Sequence, residues 1–370
     1  MIARLAAAAG LVATAAAHGA MLSPMPRNAI DSTLSGDDWG DGANATGILE
    51  RLGVRCENGT TACRPGQSVF WFSQGCTPGC ETCDSQGQRV ANWDHCNATR
   101  KTPFEPTLAH KYWTSNRNAT PMSEQDIWKF QPFRSPGLAP LSDVCGMAGG
   151  SPVPVFNGGE YTPTKFGKQG DLGSKVLKPR PTGITWKAGS VVNVSWYIAF
   201  NHAGGYKYRI CPKTETLSEE CFAKPEHQLE FASTEHVIKF NQSSVRIPNT
   251  IVKEGGGLGW MLNPIPMPNF VGSDCDDMNG HPCGGCPCTK PRPPWFGHFG
   301  GNPPNGTVVD GFDWGKNPLG GENKGKSTAI EDEVLVPNNL AAGEYVVGFR
   351  WDCETSSQVW TSCADISVSA

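Results

Sequence analysis

The chain has 370 residues, with 44 Gly, 30 Pro and only 18% charged residues, a composition that favours short strands joined by long loops over helices. Its 31 basic and 35 acidic residues give a formal net charge of −4 and form no long basic run, which argues against nucleic acid and anionic membranes as partners. Beyond the N-terminus no apolar stretch is long enough to anchor the chain in a bilayer.

Residues 1–17 place one cation, Arg4, before a short apolar run that ends in Ala15-Ala16-Ala17, the layout of a secretory signal peptide. Cleavage after Ala17 leaves His18 with a free α-amino group beside its imidazole. The remainder, 18–370, reads as a single secreted, extracellular domain. Behind a signal peptide the 15 cysteines read as a disulfide framework. Seven Asn-x-Ser/Thr sequons, beginning at Asn44, Asn58, Asn97, Asn118, Asn193, Asn241 and Asn305, fit a glycoprotein.

In chain order, Pro24 and Pro26 make 18–27 loop-like, because neither tolerates a helix interior. Residues 31–44 are a polar surface loop and 67–73 a short strand. Cys76, Cys80, Cys83 and Cys96 then lie in a segment too poor in apolar residues to hold a shape without staples. Residues 123–130 start a short helix with Ser123 as its cap. The stretch 190–200 alternates polar and apolar residues as a half-buried strand does. It is broken by Asn201-His202-Ala203-Gly204-Gly205 and resumes at 206–211, which reads as a hairpin with a glycine turn. Short strands follow at 237–240 and 244–247. A second Cys- and Pro-rich insertion, 272–306, carries Cys275, Cys283, Cys286 and Cys288. Strands at 329–336, 343–351 and 359–368 close the chain. The economical architecture is one all-β sandwich with two disulfide-stapled loop insertions. The first pairing to expect is Cys211 with Cys221, across a short loop. The clustered cysteines have zinc-like spacings but sit in an oxidising context, and their pairings stay open.

Two histidines stand out. His202 lies at a strand end beside Gly204-Gly205, where another group can approach closely. An N-terminal His18 offers an amine that loses its proton readily, together with an imidazole, as one chelate ring. With His202 this makes three nitrogens, a set that suits Cu(II); zinc accepts the same atoms but prefers a tetrahedral site. No nucleophile elbow, His-Glu-x-x-His or phosphate loop occurs, and no pair of carboxylates is held at a fixed distance for glycoside hydrolysis.

Three segments carry a resemblance: His18-Gly19 with Pro24 and Arg27; Asn201-His202-Ala203-Gly204-Gly205-Tyr206 with Tyr208-Arg209-Ile210-Cys211-Pro212; and Gln358-Val359-Trp360-Thr361-Ser362-Cys363-Ala364-Asp365-Ile366. In this order they resemble lytic polysaccharide monooxygenases of the chitin-binding type-4 group. The resemblance implies an immunoglobulin/fibronectin-like sandwich with copper held by His18 and His202 as a histidine brace. It implies oxidation of a C–H bond beside a glycosidic linkage of an insoluble β-1,4-linked polysaccharide, chitin or cellulose. An external electron donor, with hydrogen peroxide or dioxygen, would drive it, and the protein would act as a monomer. Family members place Tyr or Phe on the axial side of the metal; the matching residue here is Trp360, which has no phenol oxygen and can only shield. Gln358 matches an outer-sphere amide or carboxylate. Phe200 is a second departure, where relatives often have a small residue. The alternative reading is a non-catalytic secreted protein of the same fold that binds polysaccharide or copper.

Overall fold

The structure is a computed structural model and describes residues 18–29, 71–74, 137, 141, 143–148, 167–168, 170–200, 204–240, 243–249, 251–253, 259–264, 308–309, 312–313, 328–353 and 358–370. Strand alternation shows why these segments extend. In β5 (Val191–Phe200) the buried Val194, Trp196 and Ile198 recur at every second position. In β6 (Gly205–Pro212) Tyr206, Tyr208 and Ile210 do the same. The other strands are β1 (His18–Ser23), β2 (Trp71–Gln74), β3 (Met147–Ala148), β4 (Pro181–Lys187), β7 (Gln228–Phe231), β8 (Glu235–Phe240) and β9 (Ser243–Pro248). They continue with β10 (Ile251–Lys253), β11 (Gly259–Leu262), β12 (Val308–Val309), β13 (Phe312–Asp313), β14 (Thr328–Leu335), β15 (Gly343–Asp352) and β16 (Gln358–Ser369). Helices are short: α1 (Gly173–Val176), α2 (Glu219–Ala223) and a 3-10 turn at Pro225–His227.

One layer runs β1-β5-β14-β8-β9, and the other runs β11-β6-β15-β16-β2-β3. β7 pairs with both β14 and β6, so the layers are two halves of one curled sheet. β4 lies parallel to the second half of β16. The halves face each other across an aromatic core. There the Trp196 ring meets Tyr206, Phe349 and Trp351 at centroid distances of 4.7, 5.1 and 5.0 Å. One polar group inside is paired: the Tyr206 hydroxyl donates to Asp332 at 2.8 Å, and His236 Nδ1 lies 2.7 Å from the same carboxylate. The all-β expectation holds.

Two expectations fail. β5 and β6 do not form a hairpin; β5 pairs with β1 and β14, while β6 pairs with β15, β7 and β11. Both strands carry large aromatics on one face, and these bury most area by meeting across the core, so the Gly-rich connection crosses between layers. The loop expected at 18–27 is a strand over its first six residues. Pro24 and Pro26 exclude a helix but lie beyond Ser23, leaving His18–Ser23 free to pair along the edge of β5. The helix at 123–130, both Cys-rich insertions and most of the strand at 67–73 lie outside the described residues.

The expected Cys211–Cys221 bridge is present, tying β6 to α2. A second bridge, Cys145–Cys363, ties the segment before β3 to the middle of β16. The N-terminal segment is fixed to β16 as well. Arg27 donates to both oxygens of Asp365 at 2.7 and 2.6 Å, and its backbone N–H donates to the Cys363 carbonyl at 2.7 Å. The Arg180 backbone N–H and the Lys213 ammonium complete the carboxylate's shell at 2.8 and 3.0 Å. Burial pushes the Asp365 carboxyl up, but the hydrogen bonds from Arg27 and Arg180 and the Arg27 charge outweigh it and hold it below the usual carboxylate range.

Because the folded-state carboxyl titrates lower than the unfolded one, this pair stabilises the fold above about pH 4 and is lost as pH falls through the folded value. Asp365→Asn strands a buried guanidinium and is expected to lower stability by about 3–5 kcal/mol. Denaturant melts at neutral pH and at pH 3 check this, with the difference between variant and parent shrinking at the lower pH.

Candidate metal centre at the ends of β1 and β5

The register of β1 on β5 sets the site. His18 pairs with Phe200, Gly19 with Ile198, Ala20 with Tyr197 and Met21 with Trp196. The backbone of His18 therefore lies beside the last residue of β5, and His202 follows two residues later in the chain. His202 itself lies outside the described residues, as do the neighbouring Asn201 and Ala203. Gly204 has φ of 80°, a left-handed conformation suited to glycine, and its carbonyl accepts from the Asn263 N–H at 2.9 Å. Gly205 then pairs with Asp352 and with Leu262.

Trp360 lies in β16 opposite Trp351 and Phe72, and it is wholly buried, at 0% exposure, within the main core cluster. Gln358 starts β16, paired with Gln74. Sequence reasoning passed over Trp351. A Cβ added to Gly19 would stand 2.8 Å from Cζ3 of that ring and 3.0 Å from the Tyr197 carbonyl, so the indole fills the space that a side chain at position 19 would need. The signal available beforehand was the His18-Gly19 pair itself, since a glycine there marks a close approach whose other member only the fold reveals.

Among the described residues one other group has metal-ligand types close together, Glu215, Cys221 and His227. The Cys221 sulfur is committed to its disulfide and the His227 Nδ1 lies 2.7 Å from the Cys221 carbonyl, so this cluster belongs to the α2 turn and not to a metal.

The outer face of β6 and β15 holds a compact charged group. Arg350 donates to both oxygens of Asp352 at 2.7 and 2.9 Å and reaches Glu219 at 3.2 Å, which Arg209 also contacts at 2.5 Å. Lys207 is 7% exposed, and its ammonium lies 5.1 Å from the centre of the Trp260 ring. Three cations thus meet two carboxylates. Burial first, and then the Arg209 and Arg350 charges, pull the Lys207 ammonium down to about 7.

No family model matches the chain. Among solved structures it is similar to a lytic polysaccharide monooxygenase AA15 from Thermobia domestica in the Cu(I) state, at 14% identity over 59% of this chain and 70% of that one, with a TM-score of 0.22. It is also similar to a chitin binding domain from Burkholderia pseudomallei, at 9% identity over 96% of this chain and 100% of that one, with a TM-score of 0.27. A third likeness is to an AA10 lytic polysaccharide monooxygenase from Streptomyces lividans, at 12% identity over 53% and 63% of the two chains, with a TM-score of 0.19. Among the described residues no helix is long and apolar enough to cross a membrane.

Gly19→Ala is expected to displace β1 from Trp351, lowering stability by about 1–3 kcal/mol, as overpacking does. Thermal melts of this variant beside Ala20→Gly, which removes a methyl from the next residue, check the assignment. For Lys207 the folded state gives up between about pH 7 and the ordinary lysine range a proton that the unfolded chain keeps, so stability rises with pH across that window. Lys207→Met should raise the melting temperature most at pH 6, with the gain shrinking by pH 10.

Proposed function

We propose that the protein is a secreted, copper-dependent monooxygenase of the lytic polysaccharide type, acting on an insoluble β-1,4-linked polysaccharide such as chitin or cellulose. The observation that carries this reading is the pairing of His18 with Phe200. Directly paired Cα atoms lie about 4.5–5.5 Å apart, and two further residues reach at most about 7 Å. His202 follows Phe200 by two residues in the chain, which supports a site shared with the terminus that cleavage after Ala17 would create. The donor set of one α-amine and two imidazoles fits copper, which favours nitrogen ligands in a tetragonal field.

Copper held there supplies one-electron chemistry toward hydrogen peroxide or dioxygen, with an external reductant as electron source. The chain's own residues do the rest. His18 chelates through its amine and its ring, and His202 closes the brace. The Trp351 ring against Gly19 and the buried Arg27–Asp365 pair behind β1 hold the terminus in place. Trp360, fully buried and without an oxygen to offer, would shield the metal from water, and Gln358, two residues before it in the chain, would be the outer-sphere amide.

The burial of an indole where a phenol would offer oxygen favours one second reading, a copper- and polysaccharide-binding protein that does not turn over. A single set of measurements separates the two. N-terminal sequencing of the secreted protein should begin at His18, and copper titration should show tight 1:1 binding. His18→Ala or His202→Ala should weaken binding by more than the roughly 10–100-fold typical of an outer-shell partner. Mass spectrometry should then find oxidised oligosaccharides only when reductant is present. Copper binding with no oxidised ends would establish the second reading, and a mature chain that starts elsewhere would remove the brace altogether.

A further inference from the structure

Two of the three exposed large apolar residues among those described, Val191 at 52% and Leu335 at 39%, face each other directly across the β5–β14 ladder. Each is at a position of a well-formed strand whose neighbours point into the core. Val192, Val194 and Trp196 of β5 and Ile330 and Val334 of β14 line the interior, so 191, 193 and 333, 335 share the outer face. An apolar pair placed side by side on an open sheet face invites self-association, which natural sheets normally block with a charge or a cover. The charges beside this pair are Glu230, which pairs directly with Leu335 from β7, and Glu333, and directly opposite Glu333 is Asn193, also exposed. Asn193-Val194-Ser195 is a sequon, and of the seven in the chain it is the one whose asparagine falls among the described residues. Asn193 is two positions from Val191 on the same face of one strand, about 7 Å along it. The first sugar of an N-linked glycan has an apolar face of C–H groups and a reach of that order.

We propose that Asn193 carries an N-linked glycan whose first N-acetylglucosamine covers the Val191–Leu335 pair. The inference rests on the reading of the chain as secreted and is independent of copper. In the transfer, the Asn193 amide nitrogen displaces the diphosphate of a lipid-diphosphate-linked oligosaccharide. The N-glycosidic bond forms as the sugar–phosphate bond breaks, and the amide loses a proton. The strand position explains why the modification is compatible with the fold: Asn193 is exposed on the outer face, between Val191 and Ser195 of its own strand and opposite Glu333.

The test uses full-length protein secreted from a eukaryotic host, trimmed by an endoglycosidase that leaves one sugar per site, and mapped by peptide mass spectrometry. The peptide containing Asn193 is expected to carry that sugar in most molecules. A bare Asn193 in secreted protein, whether or not other sequons are occupied, overturns the proposal while leaving the copper titration of His18 untouched. Covering is read separately, with anilinonaphthalene sulfonate as the probe. Asn193→Gln should raise dye fluorescence several-fold over the glycosylated protein, and adding Val191→Thr and Leu335→Thr to that variant should return it to the starting level. Equal dye binding before and after Asn193→Gln overturns the covering role, as does a glycosylated dimer that the two threonine substitutions dissociate.

Discussion

The ion pair between Arg27 and Asp365 is the constraint on which the candidate site depends. A metal site that uses a chain terminus faces an entropic difficulty, because the first residues of most domains fray unless something ties them down. Among the described residues β1 pairs with one strand, β5. The tie comes from just beyond it, where a guanidinium buried against a carboxylate of β16 makes the two-pronged contact that arginine alone provides. The Met21 N–H to the Ser362 hydroxyl adds a weaker contact at 3.4 Å. The strand His18–Ser23 is thereby referenced to the middle of the sheet opposite, and a brace of the proposed kind would inherit the rigidity of β16 and not the mobility of a tail.

The same logic organises the second layer. β16 is paired by β15 from Val359 to Val368, its first residues are flanked by β2, and its later ones by β4 in parallel. It carries Trp360 inward, Asp365 toward the N-terminal segment and Cys363 into a bridge. One strand thus serves core, anchor and staple. That concentration explains why the outer face of neighbouring β6 and β15 can hold a compact group as unfavourable as three cations on two carboxylates: the framework beneath it is already secured.

Much of this was legible in the sequence where a local period existed. The alternation in 190–200 matched a long strand to within one residue, because a half-buried strand writes its own pattern, and the strands expected at 343–351 and 359–368 also lie within one residue of β15 and β16. The Cys211–Cys221 bridge was legible because its partners are ten residues apart. Partners far apart in the chain were not. Nothing local links Arg27 to Asp365, or Gly19 to Trp351. The break after Phe200 resembles a hairpin turn because a crossover between layers uses the same glycines. The prolines at 24 and 26 were weighed against all of 18–27, although they constrain only its second half. For the site itself, His18 and His202 were readable as residue types in a plausible order. What the structure adds is the register that brings one of them to the strand end preceding the other.

The Cys145–Cys363 bridge spans 218 residues, and every strand from β3 to β15 lies inside the covalent ring it closes. Proteases cut preferentially at exposed loop tips. Within such a ring a single nick changes the number of chain ends but not the number of molecules. A cut anywhere between the two cysteines leaves the two pieces joined at Cys363, two residues from the carboxylate that holds Arg27. The N-terminal strand would keep its anchor even in a clipped protein.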